Sequence, residues 1–167
     1  TDEIIASKGR ADIVTAFNVF AHADDLKSIT NNVFKLLKSS GIFIIEVQYL
    51  LDTIKDLTFD NIYHEHVNYW SVNALQFFFD SLDLKLEKVE HVNTHGGSIR
   101  AFISANKEAE ADSSVEDFIA KEKQFGLDNF ATLKQFASSI SDLKNTTNNK
   151  IKELKSQGKS IVGYASP

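Results

Sequence analysis

Two rhythms of apolar and polar residues run along this chain. Ala11-Asp-Ile-Val-Thr-Ala-Phe-Asn-Val19 is short, β-branched and apolar on both faces, which predicts a buried parallel strand. Asp24 or Asp25 can cap a helix, and Leu26, Ile29, Val33, Leu36 and Leu37 then recur at helical spacing until Gly41, a natural stop. Ile42-Phe-Ile-Ile-Glu-Val47 is a second apolar strand, so strand, helix and strand make a βαβ unit. Ser71 opens a helix with Val72, Leu75, Phe78, Phe79 and Leu82 on one face. Leu84 to Val92 and Ser98 to Ser104 read as strands joined by the turn Asn93-Thr-His-Gly-Gly97, which makes them antiparallel. The pattern predicts an α/β fold.

Beyond these strands the rhythm is helical. Glu108 to Asp117 reads as an acidic linker, Val115, Phe118 and Ile119 begin a helix, and Gly126 interrupts it. From Asp128, a candidate cap, apolar residues from Phe130 to Leu154 recur at steps of three and four. That predicts a helix of roughly 30 residues and about 45 Å, ended by Gly158. Ser160 to Pro167 then reads as a strand entering a glycine turn, where an α/β unit begins. With Thr at position 1 and no Met, the chain reads as a fragment cut at both ends.

Composition narrows the function. A share of 43% hydrophobic residues is globular. A net charge of -5 without a basic cluster argues against nucleic acid. No apolar run approaches the roughly 20 residues of a membrane span. The absence of Cys removes disulfides and thiolate metal sites and fits a cytoplasmic protein.

The chemistry concentrates in Asp60-Asn-Ile-Tyr-His-Glu-His-Val-Asn-Tyr-Trp70. Imidazole, carboxylate and phenol are the common general acids and bases. The stretch follows the second strand, and ligands of parallel sheets sit beyond the carboxyl ends of the strands. Asn18, His22, Glu46 and Gln48 fall at those ends too, and Tyr49 to Tyr69 is long for a connection. If the backbone is extended there, His64 and His66 point to opposite sides and Glu65 faces away from both. Residue chemistry alone does not choose between the two histidines. Gly96 and Gly97 permit a hairpin turn and equally allow a ligand close to the backbone. His64-Glu65-His66, with His22 or His95, also permits a metal reading, and a non-enzymatic interaction module is a third.

Tyr63-His-Glu-His66 with Tyr69, Thr94-His-Gly-Gly-Ser-Ile-Arg100 and Gly163-Tyr-Ala-Ser-Pro167 resemble the S-adenosylmethionine-dependent sugar C-methyltransferases, which act on nucleotide-linked keto-deoxysugars. Ala11-Asp-Ile-Val and Asn18-Val-Phe-Ala-His22 are similar to the family's strand at the edge of the S-adenosylmethionine pocket. Ala165 stands where that family commonly has a second glycine. The resemblance implies the C-terminal half of a Rossmann-like class I methyltransferase domain, whose parallel strands end in an antiparallel hairpin, followed by long helices. It assigns 1–107 to that half domain, 108–158 to linker and connecting helices, and 159–167 to the first strand of a further α/β domain. It implies His66 as the base, with Tyr63, Glu65 and His22 completing the catalytic site. Asn18 would contact the cofactor, whose Gly-rich motif the resemblance places before Thr1, so that the pocket is incomplete and the segment inactive alone. His95, Gly96, Gly97 and Arg100 would contact the substrate. It implies no metal in this segment and a structural zinc only in a part before Thr1. The expected partner is a small nucleotide-sugar, not nucleic acid or membrane, and the sheet edge is one that a second copy can cover in a homo-oligomer.

Overall fold

The computed structural model describes residues 1–164. The chain forms two compact units, Thr1–Asp128 and Asn129–Pro167. The first holds a four-stranded sheet of β1 (Ala11–Phe17), β2 (Leu37–Gln48), β3 (Lys85–Val92) and β4 (Ser98–Ser104), in the order β1-β2-β4-β3. β1 and β2 run parallel, while β4 is antiparallel to both β2 and β3. The helices of this unit are α1 (Asp2–Lys8), α2 (Leu26–Leu36), α3 (Leu50–Lys55), α4 (Val72–Asp80) and α5 (Ser113–Phe125). The expected parallel pair and antiparallel hairpin are both present.

Register explains the core. Phe43, Ile45 and Val47 of β2 lie opposite Ile103, Ala101 and Ile99 of β4, and all six are buried on one face. Burying six such side chains supplies roughly 1.5–3 kcal/mol for each large one. Beneath them sits an aromatic cluster. The Phe20 ring lies 6.1 Å from Phe79, 5.8 Å from Trp70 and 6.0 Å from Phe43. α4 carries Leu75 and Phe79 into this core, and the Ser71 hydroxyl accepts from the Ala74 N–H at its start. α5 is capped by Asp112, whose carboxylate accepts from Ser114 N; these bonds hold the carboxyl below its usual range.

Several expectations need correction. β1 is an edge strand, with Ile13 and Phe17 exposed rather than buried on both faces. Burial depends on neighbours in space, and β1 pairs only with β2 among the described residues. α2 ends at Leu36, and Gly41 lies inside β2 rather than stopping a helix. There a Cβ would sit 3.0 Å from the Lys38 carbonyl and 3.1 Å from that of Asp12, so glycine answers a close approach of strands at the irregular register between Ala11 and Ile13. Asp25 caps α2, and the helix turns Phe34 toward Phe43 while Ile29 stays exposed. α1 and α3 were not anticipated, being too short to show a period. The supposed linker already belongs to α5 from Ser113. Gly126 ends α5 in the left-handed conformation, as expected.

Among its described residues the second unit holds one helix, α6 (Phe130–Ser156), of 27 residues. Its cap is Asn129, which accepts from Ala131 N, and not Asp128. Gly158 takes φ 74° just after it. The strand expected from Ser160 is not formed over residues 159–164, because no neighbouring strand pairs with them among the described residues. Its remainder, Ala165 to Pro167, lies outside the described residues. No helix among the described residues is long and apolar enough to cross a membrane.

Candidate active site

Two loops at the carboxyl ends of β1 and β2 meet over the aromatic cluster. The first leaves β1 at Asn18, which adopts φ 54°, a conformation asparagine tolerates. Asn18 N–H donates to the Glu46 carbonyl at 2.9 Å, tying the loop to β2. Phe20, 1% exposed, plugs the core and leaves His22 exposed at the end of a 3-10 turn (Phe20–His22). The second loop runs from Thr58 to Trp70. Trp70 enters the same cluster, and its carbonyl accepts from Leu50 N–H. Each loop is therefore pinned by an aromatic side chain a few residues from its histidine.

His22 and His66 come together, with ring centroids 4.7 Å apart. The extended backbone considered for Tyr63 to His66 is not adopted. His66 N–H bonds back to the Tyr63 carbonyl, and this turn brings the Tyr63 ring to 4.3 Å from His66. His66 Nδ1 lies 2.7 Å from the Asn61 carbonyl. A carbonyl can only accept, so Nδ1 carries the proton, and in the neutral ring Nε2 holds the free lone pair. Nε2 lies 3.3 Å from the Tyr63 hydroxyl. The tautomer follows from this hydrogen-bond assignment.

A hollow of about 200 Å³ opens here, lined by Asn18, His22, Gln48, Asn61, Tyr63, His66 and His95 with Ala21 and Val47. Five residues expected at the site thus meet: Asn18, His22, Tyr63, His66 and His95. Asn61 was missed by sequence reasoning; an asparagine in a loop carries no pattern. Its amide nitrogen donates to the His95 carbonyl at 3.3 Å, and Gln48 donates to its amide oxygen at 3.4 Å. His95 has φ 50°, a second left-handed residue on this wall.

The structure does not bring the remaining expected residues to this hollow. Glu65 lies outside it, 3.9 Å from His64, whose side chain is 89% exposed. Among the described residues no three His, Asp or Glu side chains converge as a metal site. Arg100 is engaged by buried Glu46, with Nη2 2.7 Å from Oε2, and its guanidinium lies over the Phe17 ring. Thr94 Oγ1 donates to the same carboxylate at 3.0 Å. Gly96 and Gly97 line a neighbouring hollow of about 460 Å³ with Asp52, Lys55, His91 and Lys121.

Gly97 has a structural task that its sequence context did not reveal. At φ 110°, an added Cβ would fall 2.7 Å from the Asp52 Cβ and meet its carboxylate. Asp52 cannot swing away, because His91 Nε2 donates to it at 2.6 Å. Gly97→Ala should therefore cost about 1–3 kcal/mol and lower the thermal midpoint by roughly 3–8 °C. A melting curve superimposable on the parent's would overturn this.

Residues 1–89 match the family model of a methyltransferase domain, and residues 93–167 match that of a C-methyltransferase C-terminal domain. The chain belongs to the methyltransferase family. It is similar to the C-methyltransferase NovU of Streptomyces niveus, 32% identical over 167 residues, 99% of this chain and 40% of that protein. The chain therefore spans less than half the length of this curated relative. The crystal structure of LaPhzM overlaps 56% of this chain and 30% of its own at 17% identity, with a TM-score of 0.42.

Proposed function

We propose that the protein is an S-adenosylmethionine-dependent C-methyltransferase that acts on a nucleotide-linked keto-deoxysugar, with His66 as its base. The observation that carries the reading is the hydrogen bond from His66 Nδ1 to the Asn61 carbonyl, which makes Nε2, beside the Tyr63 hydroxyl, the basic nitrogen of a ring that lines the hollow. The NovU relative, by its name, supports carbon as the methyl acceptor. We read the sheet order, with β4 between β2 and β3, as the end of a class I methyltransferase sheet, and the protein as cytoplasmic.

The residues that line the hollow suit the sulfonium end of the cofactor. The hollow is lined by neutral amides, a phenol and imidazoles, with no Lys or Arg, so a sulfonium cation meets no fixed positive charge. Asn18 and Gln48 would hold it at the strand ends. When bound, S-adenosylmethionine supplies an electrophilic methyl group. His66 Nε2 removes a proton from the carbon beside the substrate ketone. The Tyr63 hydroxyl and His22, both within reach of His66, are donors for the enolate oxygen that develops. Glu65 and Arg100 take no part in these steps, because the Glu65 side chain is exposed outside the hollow and the Arg100 guanidinium is paired with Glu46.

The test uses the full-length protein with methyl-labelled S-adenosylmethionine and nucleotide-linked keto-deoxysugars. Label should appear on the carbon beside the carbonyl. Without the methyl donor, in deuterated water, the same position should exchange its hydrogen. Neither labelled product nor exchange across a panel of such sugars would reject the reading.

A further inference from the structure

The two histidines sit on different loops, and one residue brackets the first of them through its backbone and its side chain. Asn68 is two residues beyond His66. Its backbone N–H donates to the Ala21 carbonyl at 3.2 Å, joined there by the Val67 N–H at 3.2 Å. Its side-chain Nδ2 donates to the Ala23 carbonyl at 3.0 Å, across 45 residues of sequence. Ala21 and Ala23 are the immediate neighbours of His22. The carbonyls on both sides of His22 are thus held by Asn68, from the loop that carries His66. Asn68 is half-buried and does not line the hollow.

We propose that Asn68 is a positioning residue that fixes His22 against His66 at the separation seen here. Without the side-chain bond the Ala23 carbonyl loses its partner, the segment between His22 and the Asp25 cap of α2 is hydrogen-bonded to the His66 loop only through Ala21, and the His22 ring is free to turn away from the base. Phe20 holds the segment before His22 in the core, so the loop has an anchor on one side and a clamp on the other. The shape of the side chain matters less than its amide N–H. An aspartate has the same outline, but an ionised carboxylate has no proton to give and would face the Ala23 carbonyl with its own oxygen.

The catalytic consequence rests on the reading of His66 as base, so the test separates the two. In the ¹⁵N-histidine-labelled chain, ring-to-ring nuclear Overhauser contacts between His22 and His66 should be present in the parent. They should be lost in both Asn68→Ala and Asn68→Asp, while the thermal midpoints stay near the parent's. In the full-length protein the same variants should lower kcat about 10- to 100-fold, with KM changed less than about threefold. Retained ring contacts in Asn68→Asp would overturn the proposal, because they would make side-chain shape sufficient. Parent-like kcat in both variants would overturn its catalytic part. A parent protein that shows the ring contacts but never transfers methyl would reject the functional reading and leave the clamp standing.

Discussion

His66→Gln in the full-length protein should lower the rate of methyl transfer by roughly 10²- to 10⁴-fold, the usual contribution of a positioned general base. Binding of S-adenosylmethionine, followed by calorimetry, should stay within about threefold. The split is expected from geometry. On the proposed reading Nε2 takes the proton, and glutamine, which fills similar space, offers only a weakly basic amide oxygen. The cofactor contacts assigned to Asn18 and Gln48 do not pass through the ring. Solvent deuterium exchange at the substrate carbon should fall by the same factor as turnover, because both need the same proton removed. His64→Gln should leave both within about twofold, since its side chain is exposed and outside the hollow. Near-parent turnover in His66→Gln would end the assignment of the base, and equal losses in both variants would reopen the choice between the two histidines.

The largest effect on stability is expected at Glu122. This side chain is 3% exposed on α5, yet it reaches the start of α4. Its Oε1 accepts from Val72 N–H at 2.6 Å and its Oε2 from Asn73 N–H at 3.1 Å. The first turn of a helix has amide groups without partners and a partial positive charge, so a carboxylate there is favoured twice. With Ser71 accepting from Ala74, the α4 amino terminus is satisfied entirely by side chains and its own backbone. The charge is felt nearby: the Tyr49 phenol is pushed well above its usual range, first by burial and then by Glu122. Glu122→Ala strands a buried donor and should cost about 2–4 kcal/mol in urea unfolding. Glu122→Gln keeps an acceptor oxygen and should cost about half as much. An alanine variant within about 0.5 kcal/mol of the parent would show that water replaces the carboxylate at no loss.

Much of this was legible where the pattern is local. β4 appears at its expected bounds because Ile99, Ala101 and Ile103 alternate and the strand lies between two others. Ser71 was legible as a cap because capping needs only the next few residues. What failed depended on distant partners. Nothing in Ile13 or Phe17 says that β1 lies at an edge, and Gly41 looks the same as a helix stop or as a tight spot in a strand. Leu50 to Lys55 is one and a half turns, too brief for a period to show. At the site, the residue types of Tyr63 to His66 marked the stretch as a candidate for proton chemistry, but not which ring bonds to Asn61. Asn61, Asn68 and Glu122 act through contacts that span loops or helices, and a polar residue in a sequence does not say whom it meets.

Phe20 and Trp70 share one cluster with Phe79 and Phe43, and they also close the two loops that hold the histidines. The histidine pair is in this sense an outcrop of the hydrophobic core rather than an attachment to it. Most functional loops open more readily than the body they rest on. Here, lifting either loop means withdrawing an indole or a phenyl ring into water, so the local and the global opening reactions converge. The site has little freedom to fray and inherits the cooperativity of the fold beneath it.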